Sequence, residues 1–233
     1  MISYQTPIWL TIQIGKDELM SSPRIIGVYL GAGQSRRMGQ NKLELPFGEL
    51  CLGSWGLQAA IESELDWTIA VTRKGDGLQW LAPFFQRKGW GCLRCEEVDE
   101  GQSASLKAGV KAAMEMEADA VVVLLADQPF VECRLLNRLV KGFRESPERA
   151  FVAAAIQPPV LLANKMFADI LRLEGDRGAG CLLRGKWRKD GKVVGLRDRH
   201  YVLDIDTMEE YEIYRGRVGC ASDWKKCDSK RGV

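Results

Sequence analysis

The sequence predicts a single, Rossmann-like three-layer α/β domain with a mostly parallel central sheet. Its 233 residues, 46% hydrophobic and 27% charged, suit one globular domain of medium size. Short apolar runs rich in β-branched residues occur at residues 25–30, 67–71 and 120–126, as expected for strands buried on both faces. Segments with helical spacing separate these runs, an alternation typical of α/β sheets.

Charge and hydropathy argue against two kinds of partner. The net charge is only +2, so the chain has no basic field of the kind on which nucleic-acid binding depends. No apolar run approaches the length of a membrane span. The first residues show neither a basic leading segment nor a small-residue cleavage site, so we expect a cytoplasmic protein without a signal peptide.

Three segments are predicted along the chain. Residues 1–19 form an N-terminal extension that we expect to be non-native or disordered, since Met20 stands just upstream of the first strand and is a natural initiator. The folded domain is predicted to span residues 20–215. Residues 216–233 form a basic, glycine-bearing tail that we expect to be mobile.

The first predicted strand, Ile25–Leu30, ends in a glycine-rich turn, Gly31-Ala32-Gly33. Glycines let the backbone turn tightly and bring its N–H groups close to a ligand. Arg37 and Lys42 follow within the next few residues. Backbone amides, a guanidinium fork and a mobile ammonium together suit a polyphosphate, so the stretch predicts a triphosphate site.

Two common glycine motifs do not fit this turn. A dinucleotide motif requires glycine where Arg36 stands, and a Walker motif requires lysine after Gly39, where Gln40 stands. The remaining pattern over residues 30–42, L-x-A-G-x-S-x-R-M-G-x-x-K, resembles the signature of the MobA-like nucleotidyltransferases. That group includes the cytidylyl- and guanylyltransferases of the molybdenum cofactor. The resemblance implies a sheet of the nucleotide-diphospho-sugar transferase type.

The next part of the chain predicts a helix over residues 51–65, a strand over 67–71, a helix over 78–88 and a strand over 92–98. The turn GQSAS then leads into a helix predicted over residues 105–116, with Ser103 or Ser105 as its cap.

GQSASLKAG is similar to the second motif of the cytidylyltransferase branch. The resemblance places Gly101 and Ser105 at the nucleobase.

The most apolar predicted strand, residues 120–126, ends at Asp127. A carboxylate just beyond a central parallel strand lies where open α/β sheets bind ligands, although aspartate also forms turns there. LLADQP resembles the metal motif of the family, which makes Asp127 a candidate Mg²⁺ ligand. DIDTMEEY follows a strand predicted over residues 202–206 and resembles the closing motif of the family. It implies that Asp206 is a second metal ligand.

Helices over residues 135–143 and 167–173 and a strand over 150–156 complete the predicted fold. The segment at residues 157–161 is shorter than the matching segment of the family and contains no histidine, so no pterin contact is assigned to it. The turn GDRGA at residues 175–179 resembles a family motif. It is interpreted either as a joint between helices or as a substrate contact.

The resemblance implies transfer of CMP from CTP to the phosphate of molybdopterin or the molybdenum cofactor, with release of pyrophosphate. The client would be a molybdoenzyme such as xanthine dehydrogenase, in purine catabolism. Arg37, Lys42 and Asp127 would be catalytic, with Mg²⁺ as cofactor on Asp127 and Asp206. The predicted nucleotide-binding residues are Leu30, Gly31, Ala32, Gly33, Ser35, Arg37, Lys42, Gly101 and Ser105.

The base preference is predicted from the first turn. The guanylyl branch has glycine where this chain has Ala32, and a methyl group there would hinder a purine. Gly31 departs from the cytidylyl branch, which has alanine at that position, so a preference for CTP is expected rather than an absolute choice.

Three alternatives stay open: a GTP-dependent guanylyltransferase, a transferase for another phosphorylated acceptor such as a sugar phosphate or phospholactate, and a non-catalytic cofactor carrier. The short segment after Ile156 permits the second, while the presence of Arg37, Lys42, Asp127 and Asp206 argues against the third.

Overall fold

A computed structural model describes residues 22–33, 35–96, 101–195 and 199–216. The predicted extension at residues 1–19 and nearly all of the predicted tail lie outside these residues. None of the described helices is both long enough and apolar enough to cross a membrane.

A mixed sheet of seven strands forms the centre of the described chain, in the order β5-β4-β1-β6-β8-β7-β9. Only β8 runs against the other six, which confirms the mostly parallel sheet. A two-stranded hairpin, β2 and β3, lies apart from it. The strands are β1 Ile25–Gly31, β2 Pro46–Phe47, β3 Leu50–Cys51, β4 Trp67–Arg73, β5 Trp90–Cys95, β6 Ala120–Leu125, β7 Phe151–Ala155, β8 Gln157–Ala163 and β9 Gly191–Val193.

Helices cover both faces of the sheet, so the predicted three-layer domain is confirmed. The helices are α1 Trp55–Ile61, α2 Gln102–Glu115, α3 Cys133–Arg144, α4 Phe167–Ile170, α5 Gly180–Arg184 and α6 Met208–Tyr214. Apolar residues of α1, α3 and α6 share one buried cluster with Tyr29 of β1. Those of α2, α4 and α5 share a second cluster with Val28, because successive strand residues point to opposite faces.

Strand pairing at the centre of the sheet brings the glycine-rich turn and Asp127 together. β1 pairs with both β4 and β6, and Leu30 stands opposite Leu125 in the parallel register. The Ala126 amide also donates to the Leu30 carbonyl at 3.0 Å. The glycine-rich turn after β1 and Asp127 after β6 therefore emerge side by side at the same edge.

Several predicted boundaries shift. The helix predicted over residues 105–116 already begins at Gln102, because Gly101 adopts a φ of 93° and directs the chain into it without a side-chain cap. The helix predicted over 78–88 is a 3-10 helix, Gln79–Phe84, that contains Pro83. Proline has no N–H to donate, so it does not suit the interior of a regular α-helix.

The predicted strand over residues 202–206 is wrong. Residues Arg199–Val202 form a 3-10 helix, and residues 203–206 are irregular. The Ile205 amide donates to the backbone carbonyl of Asp127 at 2.9 Å and the Leu203 amide to the His200 carbonyl at 3.2 Å, while the Gln128 and Gln157 side chains bind the Val202 carbonyl. The alternating pattern of VLDID was therefore misleading, since these residues pack against the sheet edge without joining the ladder.

Candidate active site

The loop that follows the glycine-rich turn brings Lys42 back to the carboxyl-terminal edge of the sheet. Ser35 adopts a left-handed conformation with φ 47°, which is uncommon for a residue with a side chain. Its hydroxyl accepts a hydrogen bond from the Lys42 amide at 3.3 Å. A 3-10 helix, Lys42–Glu44, starts there, and the Asn41 side chain accepts from the Leu43 amide at its beginning. The loop thus returns Lys42 to the end of β1.

The Lys42 ammonium is the centre of the site. It donates to Asp127 Oδ2 at 2.8 Å, to Asp206 Oδ1 at 2.8 Å and to the Ile205 carbonyl at 2.9 Å. All three of its N–H donors are therefore used. The residues predicted from three separate motifs meet at this one nitrogen atom.

Charge compensates for the burial of Lys42. Burial alone would lower the pKa of Lys42, but the attraction of Asp127 and the hydrogen bonds to Asp127 and Asp206 raise that pKa above its ordinary value. The side chain therefore stays protonated at neutral pH.

One carboxylate oxygen of Asp127 has a hydrogen-bond partner, and the other has none. Oδ2 accepts from Lys42, whereas Oδ1 is buried and has no hydrogen-bond partner. A buried carboxylate oxygen left in this state is costly unless a cation or another donor reaches it. Arg37 pairs with the second carboxylate, from its guanidinium to Asp206 Oδ2 at 3.3 Å, and its side chain is 75% exposed. The exposed guanidinium is thus free to move toward a ligand.

Asp204 is a third carboxylate at this edge, and sequence analysis did not assign it. Burial, followed by the negative charge of Asp127, raises the pKa of Asp204 to about 6. Gln128, which is fully buried, donates from Nε2 to Asp204 Oδ1 at 2.7 Å. In the sequence, only the spacing Asp204-x-Asp206 and the position of Gln128 beside Asp127 could have indicated that Asp204 lies at this site.

A cleft opens at the ends of β1 and β6. It joins nearly all of the predicted nucleotide residues, with Ser105 from the first turn of α2 facing the glycine-rich turn. Its lining consists of Leu30, Gly31, Ala32, Gly33, Ser35, Lys42, Leu43, Ser105, Leu125, Ala126 and Asp127. Asp206 is connected to it through its ion pair with Lys42, and Arg37 through its ion pair with Asp206.

Gly101 does not line this cleft. A Cβ at Gly101 would lie 2.6 Å from the carbonyl carbon of Gly175, and the Ser103 amide donates to the Gly175 carbonyl at 3.1 Å. Together with the φ of 93°, this contact requires glycine. The role of Gly101 at the base remains a prediction, while its packing against the GDRGA turn is a finding.

Gly31 has a structural reason to be glycine. A Cβ there would lie 2.8 Å from two ring carbons of Trp80, which is completely buried. Gly53, which is distant from Gly31 in the sequence, also packs against this ring. Trp80 thus fills the space that an alanine methyl would occupy at position 31. Its place in the chain, some fifty residues from the turn, gave no sequence signal for this contact.

The donor set at the cleft suits a hard cation such as Mg²⁺. Two carboxylates converge on one point, Asp127 and Asp206, and one of the oxygen atoms of Asp127 is buried without a partner. The described part of the chain holds no cluster of three or more His, Cys, Asp or Glu arranged around a metal position. Mg²⁺ commonly binds through one or two carboxylates together with substrate phosphates, so this pair fits such a site.

Comparison with known proteins shows the family to which this chain belongs. Residues 27–193 match the MobA-like NTP transferase domain. The chain belongs to the MobA-like NTP transferase family. Like others of this family, it is a nucleotidyltransferase, and the resemblance seen in the motifs is confirmed.

One relative is the purine catabolism protein PucB of Bacillus subtilis (strain 168). It is 40% identical over 202 residues, which cover 84% of this chain and 98% of PucB. A nucleotidyl transferase from Methanothermobacter superposes with a TM-score of 0.69 at 23% identity, covering 83% of this chain and 97% of its own. Rv0371c of Mycobacterium tuberculosis H37Rv, in complex with manganese, gives a TM-score of 0.66 at 21% identity, covering 84% and 100%. These two structures confirm the fold.

Proposed function

We propose that this protein transfers CMP from CTP to the phosphate of molybdopterin or the molybdenum cofactor and releases pyrophosphate. The observation that carries the proposal is the Lys42 ammonium, which joins Asp127 and Asp206 beside the glycine-rich turn. Positive groups and paired carboxylates at one strand edge suit a triphosphate and its cation.

Positioning and charge neutralisation account for most of the catalysis. Nucleotidyl transfer is an in-line displacement at the α-phosphorus, and it needs fixed geometry more than covalent help from the protein. The amides of the glycine-rich turn would bind phosphate oxygens, and Lys42 and Arg37 would neutralise their charge. A phosphate acceptor is already ionised, so no strong general base is required. The single histidine of the sequence, His200, packs instead against Phe130 with ring centroids 3.9 Å apart.

Asp127 and Asp206 would hold the magnesium ion. When bound, the ion would polarise the phosphate and neutralise charge that develops in the transition state. Lys42 binds Asp127 Oδ2 and Asp206 Oδ1 in this structure, whereas Asp127 Oδ1 has no partner. An ion held through Asp127 Oδ1 would lie beside the ammonium, and repulsion between the two cations would turn Lys42 toward the phosphates.

The base preference is proposed to be cytosine over guanine. Ala32 lies at the cleft with its methyl group nearly buried, and steric discrimination of this kind is typically worth ~1–3 kcal/mol. Glycine at position 31 does not argue against this proposal, because Trp80 supplies bulk there.

We also propose that the product serves the maturation of a molybdoenzyme such as xanthine dehydrogenase, in the cytoplasm. The name of the relative PucB supports the link to purine catabolism.

The proposal is tested by measuring pyrophosphate release from CTP, GTP and ATP, with Mg²⁺ and molybdopterin released from a molybdoenzyme. We expect the highest turnover with CTP. GTP turnover equal to or above that of CTP would identify a guanylyltransferase. Release that depends on a sugar phosphate or phospholactate instead of the pterin would identify another acceptor. Binding of the pterin without any pyrophosphate release would identify a carrier.

The same assay tests the metal-binding role of Asp127. Asp127→Ala should lower turnover by several orders of magnitude, because the group would bear both the metal and Lys42. Asp66→Ala, which removes a carboxylate bonded to the Ile25 amide at the opposite end of β1, is a matched control for folding. An Asp127→Ala protein with a native circular dichroism spectrum and more than about a tenth of the activity would exclude this role.

A further inference from the structure

One edge of the central sheet is an open strand. β5 is the last strand on its side of the sheet, and among the described residues it pairs only with β4. Free N–H and C=O groups at such an edge can pair with a strand of another chain, so folded proteins usually block it with charges, proline or a covering segment. β5 contains no proline and a single charged residue, Arg94. Within the described ranges, this edge is therefore open to another strand.

The direction of the free backbone groups follows from the ladder between β4 and β5. The Thr68 amide of β4 donates to the Gly89 carbonyl at 2.9 Å, so the carbonyl of Gly89 faces β4. In a strand, the backbone groups of alternate residues point to the same side. The N–H and C=O groups of Trp90, Cys92 and Arg94 therefore point away from the sheet, and none of the described residues bonds to them.

Aromatic side chains border the same edge. Trp90 is almost fully buried, whereas Phe85 is 60% exposed and stacks on it, with the ring planes 10° apart and the centroids 6.4 Å apart. Trp90, Cys92 and Arg94 project from one face of the sheet, because side chains alternate along a strand. Exposed aromatic rings are enriched at protein interfaces, so this ring beside a free strand marks a contact surface.

The charges around β5 are arranged symmetrically about Cys92. Lys88 lies four residues before it and Glu96 four residues after it, and both are exposed. An antiparallel copy of β5, with Cys92 on the two-fold axis, would place Lys88 of each subunit beside Glu96 of the partner subunit. It would also place Arg94 opposite Trp90, where the guanidinium can lie against the aromatic stack. The strand is thus complementary to itself.

We propose that this protein forms a two-fold dimer in which the β5 strands of two copies pair antiparallel and join their seven-stranded sheets into one continuous sheet. In this register, the outward groups of residues 90, 92 and 94 meet those of residues 94, 92 and 90, so all of them form hydrogen bonds. A shift of two residues in one direction would oppose Lys88 to Arg94, which are like charges. A shift in the other direction would place Trp90 opposite Glu96, beyond the end of the partner strand.

The first test measures the oligomeric state by sedimentation velocity of the full chain over a dilution series. We expect a reversible dimer. Cys92→Pro removes an N–H that faces away from β4, so it should leave the sheet intact. Because the two central hydrogen bonds of the dimer are lost, it should raise the dimer dissociation constant by about tenfold or more. Arg94→Glu, at an exposed position, should weaken the dimer in the same direction without any change to the backbone.

Each variant has a matched control. Val193→Pro places proline on β9, the opposite edge strand, where Asp190 and Val194 bond to β7 and the Val193 N–H faces outward. Arg188→Glu reverses the charge of an exposed arginine outside β5. Both controls should form dimers like the wild-type protein. A wild-type protein that stays monomeric up to its solubility limit, or a dimer that neither β5 variant weakens, would overturn the inference.

A charge exchange tests the register. Lys88→Glu should weaken the dimer, because it would oppose two carboxylates at each end of the paired strands. Adding Glu96→Lys restores opposite charges across the two-fold axis and should recover the dimer. A double variant that dimerises no better than Lys88→Glu alone would exclude the register centred on Cys92.

Hydrogen exchange separates a second copy from other occupants of the edge. The amides of Trp90, Cys92 and Arg94 should exchange more slowly as the protein concentration rises, while the intervening amides that bond to β4 stay protected throughout. Protection of the outward amides that does not depend on concentration would mean that another part of the same chain covers β5, which would contradict the dimer. None of these tests requires a substrate, so their results do not depend on the proposed function.

Discussion

At the scale of single residues, Lys42 is the side chain on which the site depends. A lone ammonium satisfies one carboxylate from β6, a second from the segment before α6 and a backbone carbonyl. Its removal would leave the partly buried Asp127 without its ion-pair partner, which is more costly than losing an exposed ion pair.

Lys42→Ala should therefore weaken binding of both CTP and GTP by about tenfold or more and leave their ratio unchanged, because an ammonium senses charge and not base edges. Arg37→Ala should have a smaller effect of the same kind, since Arg37 is exposed. Isothermal titration with each triphosphate measures both quantities. Lys74→Ala, which removes an exposed lysine paired with Glu96, is the control. A tenfold change in the CTP-to-GTP ratio would exclude the proposed role.

A second prediction at this scale concerns the contact between Gly31 and Trp80. Gly31→Ala places a methyl group against a buried ring, and overpacking of this kind typically costs ~1–3 kcal/mol of unfolding free energy. Trp80→Phe should relieve the clash, so the double variant should be less destabilised than the sum of the two single variants. Urea denaturation of all three proteins measures the coupling.

Gly33→Ala is the matched control for that experiment, because a Cβ at Gly33 meets nothing within 4 Å. It should change the unfolding free energy very little. Strict additivity of Gly31→Ala and Trp80→Phe would show that the ring does not determine the residue at position 31.

At the scale of elements, the segment at residues 202–206 is held in place without a strand ladder. The amide nitrogen of Gln128, which carries two hydrogens, lies within hydrogen-bond distance of three acceptors: the Pro158 carbonyl at 3.1 Å, the Val202 carbonyl at 3.3 Å and Asp204 Oδ1 at 2.7 Å. Gln157 donates to the same Val202 carbonyl at 2.9 Å. These bonds fix the approach of the chain to Asp206.

Gln128→Leu keeps an uncharged side chain of similar size and removes these bonds. We expect amide hydrogen exchange of residues 202–206 to rise by about tenfold or more, while exchange in β1 and β6 is unchanged. Mass-spectrometric exchange of the full chain measures this. Gln58→Leu, at a surface glutamine bonded to Glu62, is the control. Unchanged protection of residues 202–206 would show that Gln128 does not hold the segment.

The elements also show which features could be predicted. The strands at β1 and β6 were predictable, because a continuous β-branched run has few alternatives to a buried strand. The family resemblance placed Lys42 and Asp127 in one catalytic site, but the direct ion pair between them was not predicted. The segment at residues 202–206 was not predictable, because its alternation fits a strand equally well and its bonds come from Gln128 and Gln157. The contact of Trp80 with Gly31 depends on tertiary packing that local patterns do not encode.

At the scale of the whole molecule, the site lowers folding stability in the metal-free protein. Asp204 lies near Asp127 and Asp206, and only Lys42 and the Gln128 amide favour its ionised form. Its pKa of about 6 in the folded state exceeds the ordinary value of 3.8. Between these two values the folded chain holds a proton that the unfolded chain has lost, so this group reduces stability as pH rises from about 4 to about 6.

Asp204→Asn should therefore raise the thermal midpoint at pH 7.5 and change it much less at pH 4, with a chelator present at both values. Differential scanning fluorimetry of both proteins over this pH range measures the difference. A gain of the same size at both pH values would assign the effect to something other than ionisation.

The close packing of Gly101 on Gly175 also has a consequence for how binding at two places on the molecule is coupled. It joins the first turn of α2, whose Ser105 lines the cleft at the glycine-rich turn, to the GDRGA turn, which lines a separate cavity of about 400 Å³. If one ligand stiffens this junction, the other ligand finds part of its ordering cost already met. Thermodynamic reciprocity then requires each ligand to raise the affinity of the other by the same factor. The two binding steps would then be synergistic.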